Sequence, residues 1–395
     1  MVQARDVVLV SGVRTAIGDF GGALKDVPPT ELGAMCVREA VSRSTLAPEE
    51  IGHCVFGNVI HTEPKDMYLS RVAAIQGGLP KETPALTLNR LCGSAMQAII
   101  SAAQMIALGD IDAAVAGGAE SMSRSAYMAP ALRWGQRMGD ASMIDAMTGA
   151  LTDPFGHGHM GVTAETVAQK WQIGREEQDR FAVESHRRAA AAIDDGRFKD
   201  QIVPLEIKTG KGPVSFDADE HVRRDVTIDS LAKLRPAFVK DGSVTAANAS
   251  GINDAAAAIV LMEANAAEKR GLKPLARLVA YAHSGVAPEE MGVGPITAVR
   301  KLLAKAGLSV AELDVIEANE AFAAQALAVA KELDFPAERT NPNGGAIALG
   351  HPIGATGAII TLKAAYEMNR INGRHALATM CIGGGQGIAL LLAAA

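Results

Sequence analysis

Cys92-Gly93-Ser94, followed by the alanine-rich run 95–108, Gly109, an apolar stretch at 113–116 and Gly117-Gly118, decides the fold because the chain repeats that order later. The second copy begins at His351-Pro352-Ile353-Gly354 and runs through a helical pattern at 355–370 to Gly373. It then reaches an apolar stretch at 376–380 and ends on Gly383-Gly384-Gly385. Each copy reads as a helix feeding a buried strand that leaves through glycines. A fainter echo flanks them: Leu46-Ala47-Pro48-Glu49-Glu50-Ile51 reads like Leu308-Ser309-Val310-Ala311-Glu312-Leu313, and Asn58 then mirrors Asn319. Two copies of one α/β unit are the expectation.

Outward from these copies, short apolar runs at 6–10, 51–56, 111–116, 255–262, 313–316 and 375–380 alternate with helical patterns. That alternation argues for an α/β architecture with buried mixed sheets. At 395 residues the chain exceeds what one core usually organises. Residues 121–249 differ in character, with more charge, more loops and an amphipathic helical pattern at 175–193. The expected organisation is a first half over 1–120 completed by about 250–270, an inserted loop domain over 121–249, and a second half over 271–395.

Composition narrows the function classes. Lys and Arg total 38 against 44 Asp and Glu, a formal charge of −6 without long runs of either sign, which argues against nucleic acid as a partner. Aromatics are only 4% of residues, so broad aromatic recognition surfaces are not expected. Four cysteines in a chain of this length fit a reducing compartment better than a disulfide framework. The apolar run at 6–10 is too short for a signal sequence, and no run reaches the roughly 18 consecutive apolar residues of a membrane span. A cytoplasmic protein with no membrane partner is the expectation.

Chemistry concentrates at a few positions. Cys92 precedes a predicted helix, where free N–H groups and the helix dipole favour a thiolate and hence a nucleophile. His351, between Gly350 and Pro352, sits at a rigid turn where an imidazole can take and return a thiol proton. Cys381 closes an apolar strand, and the glycines after it, Gly383 first, let N–H groups face a developing oxyanion. Cys36 and Cys54 lie in a helical and a strand pattern and read as packing residues. Asn319 either caps a helix or holds a water against a carbonyl, and Glu320 either orients His351 or sits in an ion pair. His157 and His159 have metal-like spacing without a third ligand, so no metal is expected.

Together Cys92-Gly93-Ser94, Asn319-Glu320-Ala321-Phe322, Gly350-His351-Pro352 and Cys381-Ile382-Gly383 resemble the four signature loops of the thiolase family, in order and from Val7 to the C-terminus. The resemblance, nearest to acetyl-CoA acetyltransferases and bacterial β-ketothiolases, implies a five-layered α-β-α-β-α body of two duplicated halves with an inserted loop domain. It implies a homotetramer or dimer, coenzyme A and acyl-CoA as substrates, and no prosthetic group. Cys92 would carry the acyl group, activated by His351, while Cys381 moves the α-carbon proton. One oxyanion hole would use His351 and a water on Asn319, the other the N–H groups of Cys92 and Gly383. Arg223, Ser250, Gly251, Leu151, His159, Met160 and Phe322 would line the coenzyme A site. Ala95-Met96 and Pro342 depart from common family patterns. Two rival readings remain at this stage: a cysteine thioesterase using Cys92 and His351 alone, and a non-catalytic acyl-CoA carrier.

Overall fold

A computed structural model describes residues 4–209 and 212–395. The body is built on β1 (Val7–Thr15), β2 (His53–Gly57), β3 (Ala85–Leu88), β4 (Ala113–Ser121), β5 (Asn253–Glu263), β6 (Ala276–Gly285), β7 (Val315–Ala318), β8 (His375–Ile382) and β9 (Gln386–Ala393). Their spatial order is β7-β8-β9-β6-β1-β5-β4-β2-β3. In the first half β1 runs antiparallel to β5 and β5 to β4, while β4 is parallel to β2 and β2 to β3. The second half repeats the scheme: β6 antiparallel to β9, β9 to β8, then β8 parallel to β7, with Thr340 bridging Ile316 in parallel where a further strand would lie.

Register makes the duplication quantitative. The last parallel pairs are Gly57 with Gly118 in one half and Ala318 with Thr379 in the other. One residue beyond β2 and β7 come Asn58 and Asn319, and two residues beyond Gly118 and Thr379 come Glu120 and Cys381. The short 3-10 turns Pro48–Glu50 and Val310–Glu312 precede β2 and β7 at matching places, as the sequence echo implies.

Helices α1 (Pro29–Ser44), α2 (Ser94–Leu108), α3 (Gly294–Ala306) and α4 (Thr356–Arg370) complete the layers. α1 covers the outer face of β1, β4 and β5, and α3 covers β6, β8 and β9. Between the halves, α2 packs on α4, and α4 touches strands of both halves, which gives the order helix, sheet, helix, sheet, helix. The two sheets join at one edge, where Val7 to Leu9 pair antiparallel with Leu278 to Ala276.

Small residues permit this close layering. β4 and β5 are buried along their whole length and rich in alanine. A Cβ on Gly357 would fall 2.4 Å from the Met96 backbone nitrogen, so the two central helices meet backbone to backbone there. α2 is apolar and long enough over Leu91–Leu108 to cross a bilayer, yet here it is core: Ala95, Met96, Ile99 and Ile100 are fully buried. Truncating Ile99 to alanine would cost about 2–5 kcal/mol.

Residues 122–252 run between β4 and β5 and hold the helices Met160–Lys170 and Arg175–Asp194. This segment is latched to β1 by a fully buried Arg14–Asp219 ion pair at 2.7 Å, and Asp219 also accepts the Ile17 N–H at 2.9 Å. Strands β3 and β6 escape a reading based on apolar runs, whereas β9 is an apolar run, Ile388 to Ala393, that is not among the strands expected from the sequence. β6 mixes polar and apolar residues, and β3 is a half-exposed edge strand.

Candidate active site

All but one of the candidate residues converge on one cleft of about 390 Å³. Its floor is formed by Cys92, His351, Cys381 and Gly383, which arrive from the loop before α2, the loop before α4, the end of β8 and the turn after it. Leu151, His159, Met160, Arg223, Ser250 and Gly251 line it from the inserted segment, and Phe322 lines it from the loop after β7. Asn319 is the exception, facing a small neighbouring cavity that it shares with Gly350 and Thr356.

Cys92 is held by a strained turn. Leu91 before it adopts φ +47°, a left-handed conformation unusual for leucine. Ser94 fixes this turn, its hydroxyl accepting the Arg90 N–H at 2.8 Å and donating to the Leu91 carbonyl at 2.6 Å. Ala95, directly under the nucleophile, is fully buried and packs against Gly118, so the extra methyl has a matching gap.

The electrostatics correct one expectation. Burial pushes the Cys92 thiol up to about 11, against the downward pull of the N–H groups of Gly383 and of Cys92 itself, with Glu120 adding to the rise. The helix start therefore does not make Cys92 a resting thiolate, because desolvation outweighs it. Burial and the neighbouring Cys92 push Cys381 higher still. Cys36 and Cys54, both fully buried, are pushed to about 12 by burial and lie away from the cleft, as packing residues would.

His351 is 5% exposed, and burial lowers its pKa to about 4, so it is a neutral imidazole. Its Nδ1 faces the Thr356 hydroxyl at 2.7 Å, and its backbone N–H donates to Asn253 Oδ1 at 2.9 Å. The Thr356 hydroxyl donates to the Pro352 carbonyl at 2.9 Å. With that proton spent, Nδ1 is the protonated nitrogen and Nε2 the acceptor. His351 Nε2 and both amide atoms of Asn319 are buried without a hydrogen-bond partner in the protein. Buried polar atoms are rarely left so unless a ligand or water receives them.

Both readings of Glu320 fail. Its carboxylate accepts the Ser185 hydroxyl at 2.6 Å and Asn341 Nδ2 at 2.8 Å, tying the inserted segment to the second half without touching His351. The helix after this loop starts at Ala323 with Phe322 as its cap residue, so Asn319 does not cap it. His159 Nδ1 accepts the Gly161 N–H at 3.1 Å, and its ring stacks on Phe238 at 4.8 Å; His157 lies 3.5 Å from Glu289. Neither ring turns toward a shared metal position.

Phe238 is a wall residue that sequence reading missed. It stacks on His159 and meets the Phe322 ring edge-on at 6.1 Å. The only signal was an apolar Pro236-Ala237-Phe238 in a charged stretch. His221 was missed too; it lines the cleft beside Arg223, with Nδ1 2.8 Å from Asp19.

Comparison with known proteins agrees with this geometry. The thiolase N-terminal domain model matches residues 7–265 and the thiolase C-terminal domain model residues 272–394. The beta-ketothiolase BktB of Cupriavidus necator is 65% identical over 98% of this chain and 99% of its own. The acetyl-CoA acetyltransferase of Chromobacterium violaceum is 52% identical over 98% of each chain. Among solved structures, human mitochondrial 3-ketoacyl-CoA thiolase superposes with a TM-score of 0.97 at 43% identity over the full length of both chains. A complex of that human enzyme with CoA gives 0.96 at 43% identity, covering 99% of this chain and 98% of that one. Matched along both halves in sequence and fold, this chain belongs to the thiolase family.

Proposed function

We propose that this thiolase, an acyl-CoA C-acyltransferase, cleaves short-chain 3-ketoacyl-CoA with coenzyme A, and runs the reverse condensation of acetyl-CoA, through an acyl group on Cys92. The observation that carries the reading is the meeting of two thiols and an imidazole on the floor of one cleft. In thiolysis His351 Nε2 takes the Cys92 proton as the sulfur attacks the 3-keto carbon. The bond between the α-carbon and that carbon breaks, and the departing enolate takes the proton of Cys381, giving acetyl-CoA. Coenzyme A then attacks the acyl-sulfur carbonyl and passes its thiol proton to Cys381. Cys92 leaves with the proton held on His351, and both thiols and the imidazole are restored.

A high resting pKa suits these roles. A thiol raised by burial stays protonated and can act as the acid toward an enolate, and a depressed imidazole is free to act as base at neutral pH. The unpartnered atoms of Asn319 and His351 support an oxyanion hole with a bridging water, and the N–H groups of Cys92 and Gly383 support the second. Residues 121–249 serve as the cover of the coenzyme A site, with Arg223 beside the adenine end and Leu151, His159 and Met160 as the wall near the thioester, while Ser250 and Gly251 lie along the pantetheine. No prosthetic group takes part.

The hairpin around Tyr127–Met128 and Ile144–Asp145 exposes Tyr127, Leu132, Met138 and, at 91%, Trp134. Such an apolar surface supports assembly into a homotetramer through this segment.

The deciding assay is coenzyme A-dependent cleavage of acetoacetyl-CoA and 3-ketohexanoyl-CoA, with Cys92→Ala and Cys381→Ala in parallel. Cleavage of both substrates, lost in each variant, supports the reading. Hydrolysis of acetyl-CoA without either cleavage would replace it with a thioesterase.

A further inference from the structure

Glu120 is fully buried near the end of β4, where it forms no ion pair among the described residues. Its carboxylate instead receives four N–H donors. Oε1 accepts Asn58 Nδ2 at 3.1 Å and the Ile60 N–H at 3.0 Å; Oε2 accepts the Val59 N–H at 3.0 Å and the Gly354 N–H at 2.9 Å. Three of these come from the loop after β2 in the first half. The fourth comes from the loop that carries His351 in the second half.

We propose that Glu120 is the positioning residue that fixes the His351 loop: its carboxyl group clamps Gly354 against the Asn58-Val59-Ile60 loop and so sets the imidazole in the cleft it shares with Cys92. Burial pushes this carboxyl up to about 8 while the Ile60, Val59 and Gly354 N–H groups hold it down. Four N–H donors occupy both oxygens, two on each, so the carboxyl group is held from both loops at once. The contact is tight from the other side as well. A Cβ on Gly354 would lie 2.4 Å from Glu120 Oε2 and 3.2 Å from the Asn58 Cα, so only glycine fits there. Ile60, Met122 and Ile353 form one small apolar cluster against Cys92, so displacing either loop moves the wall beside the nucleophile. The role rests on the reading of His351 as the base.

Four variants test it in the full-length enzyme: Glu120→Gln, Gly354→Ala, Glu120→Ala and the double Glu120→Ala/Gly354→Ala. Glu120→Gln turns an NH2 toward N–H donors. It should lower kcat for acetoacetyl-CoA thiolysis about 100-fold while KM for coenzyme A stays within about twofold, because Arg223, Ser250 and Gly251, which line the cleft from the inserted segment, make no bond to Glu120. Gly354→Ala should fall at least as far, and the double variant should be no slower than Glu120→Ala alone, since removing the carboxylate makes room for the new methyl. Glu120→Gln within threefold of wild-type kcat would overturn the proposal, as would a double variant showing the product of the two single losses. If Glu120→Gln does not fold, the glycine variants decide by the same rule. A wild type with no thiolysis would refute the reaction; an active wild type with an unaffected Glu120→Gln refutes only the positioning role.

Discussion

The two halves of this molecule share one strand and helix scheme, and they have put its equivalent positions to opposite uses. Register matches Asn58 with Asn319 and Glu120 with Cys381. The equal lengths of α2 and α4 match Cys92, two residues before Ser94, with Gly354, two before Thr356. Across one junction the pair is Cys92 and Cys381, neighbours close enough that Cys92 adds to the rise of the Cys381 thiol. Across the other it is the Gly354 N–H bonded to Glu120. Asn58 Nδ2 donates to the Ala119 carbonyl and to Glu120, whereas both amide atoms of Asn319 lack protein partners. One junction is a hydrogen-bond clamp in which the Asn58 amide nitrogen is used and only its Oδ1 lacks a partner, the other an open site where both Asn319 amide atoms and His351 Nε2 lack one. Satisfied buried polar groups rigidify a scaffold, and unsatisfied ones mark where chemistry is received.

The contrast can be broken by paired substitutions. Cys92→Ala and Cys381→Ala should each lower kcat for thiolysis by at least about 10⁴-fold, read in steady-state assays, because each removes a group that handles bonds or protons. Asn319→Ala should cost about 10²-fold in kcat through a lost oxyanion donor, with little change in stability. Its counterpart Asn58→Ala should invert that pattern, lowering kcat far less while costing about 1–3 kcal/mol in urea unfolding, since it strips one donor from the buried Glu120 carboxyl and one from the Ala119 carbonyl. Equal kinetic losses at both asparagines would erase the distinction.

Acid sensitivity sharpens it further. Burial depresses His351 to about 4 from an ordinary 6.5, so the unfolded chain binds that proton first as pH falls. The associated stability is complete above about pH 6.5 and is lost progressively down to about pH 4, on the order of 3 kcal/mol. Urea midpoints should fall over that window, and His351→Asn should flatten part of the slope; His186, also depressed to about 4 by burial, supplies a similar share. The acid limb of the rate profile should lie below pH 5. Smallest in kinetic effect, Trp134→Ala should leave kcat within about twofold while light scattering shows a smaller assembly, because the exposed ring lies far from the cleft floor.

Much of this was legible in the chain. The repeat of helix, strand and glycine exit exposed the duplication, and the reactive side chains stood in local sequence that only a turn or strand end explains. Two things were hidden. The dipole at the start of α2 argued for a thiolate at Cys92, but the desolvation it meets in the cleft is a tertiary property and it dominates. Glu120, in Ala119-Glu120-Ser121, looked like the polar end of a strand, since all four of its donors lie 60 or more residues away or in a loop after β2 that no local pattern connects to it. Phe238 was equally silent, because its partners His159 and Phe322 are far apart in the chain.

Mass spectrometry of the intact and digested protein after mixing with acetyl-CoA tests the division of labour between the two thiols most directly. Wild type and Cys381→Ala should both carry a single acetyl group on Cys92, while Cys92→Ala carries none and neither variant turns over acetoacetyl-CoA. An acetyl group found on Cys381 in the wild type, or failure of Cys381→Ala to acylate at all, would contradict the assignment of Cys92 as nucleophile and Cys381 as proton carrier.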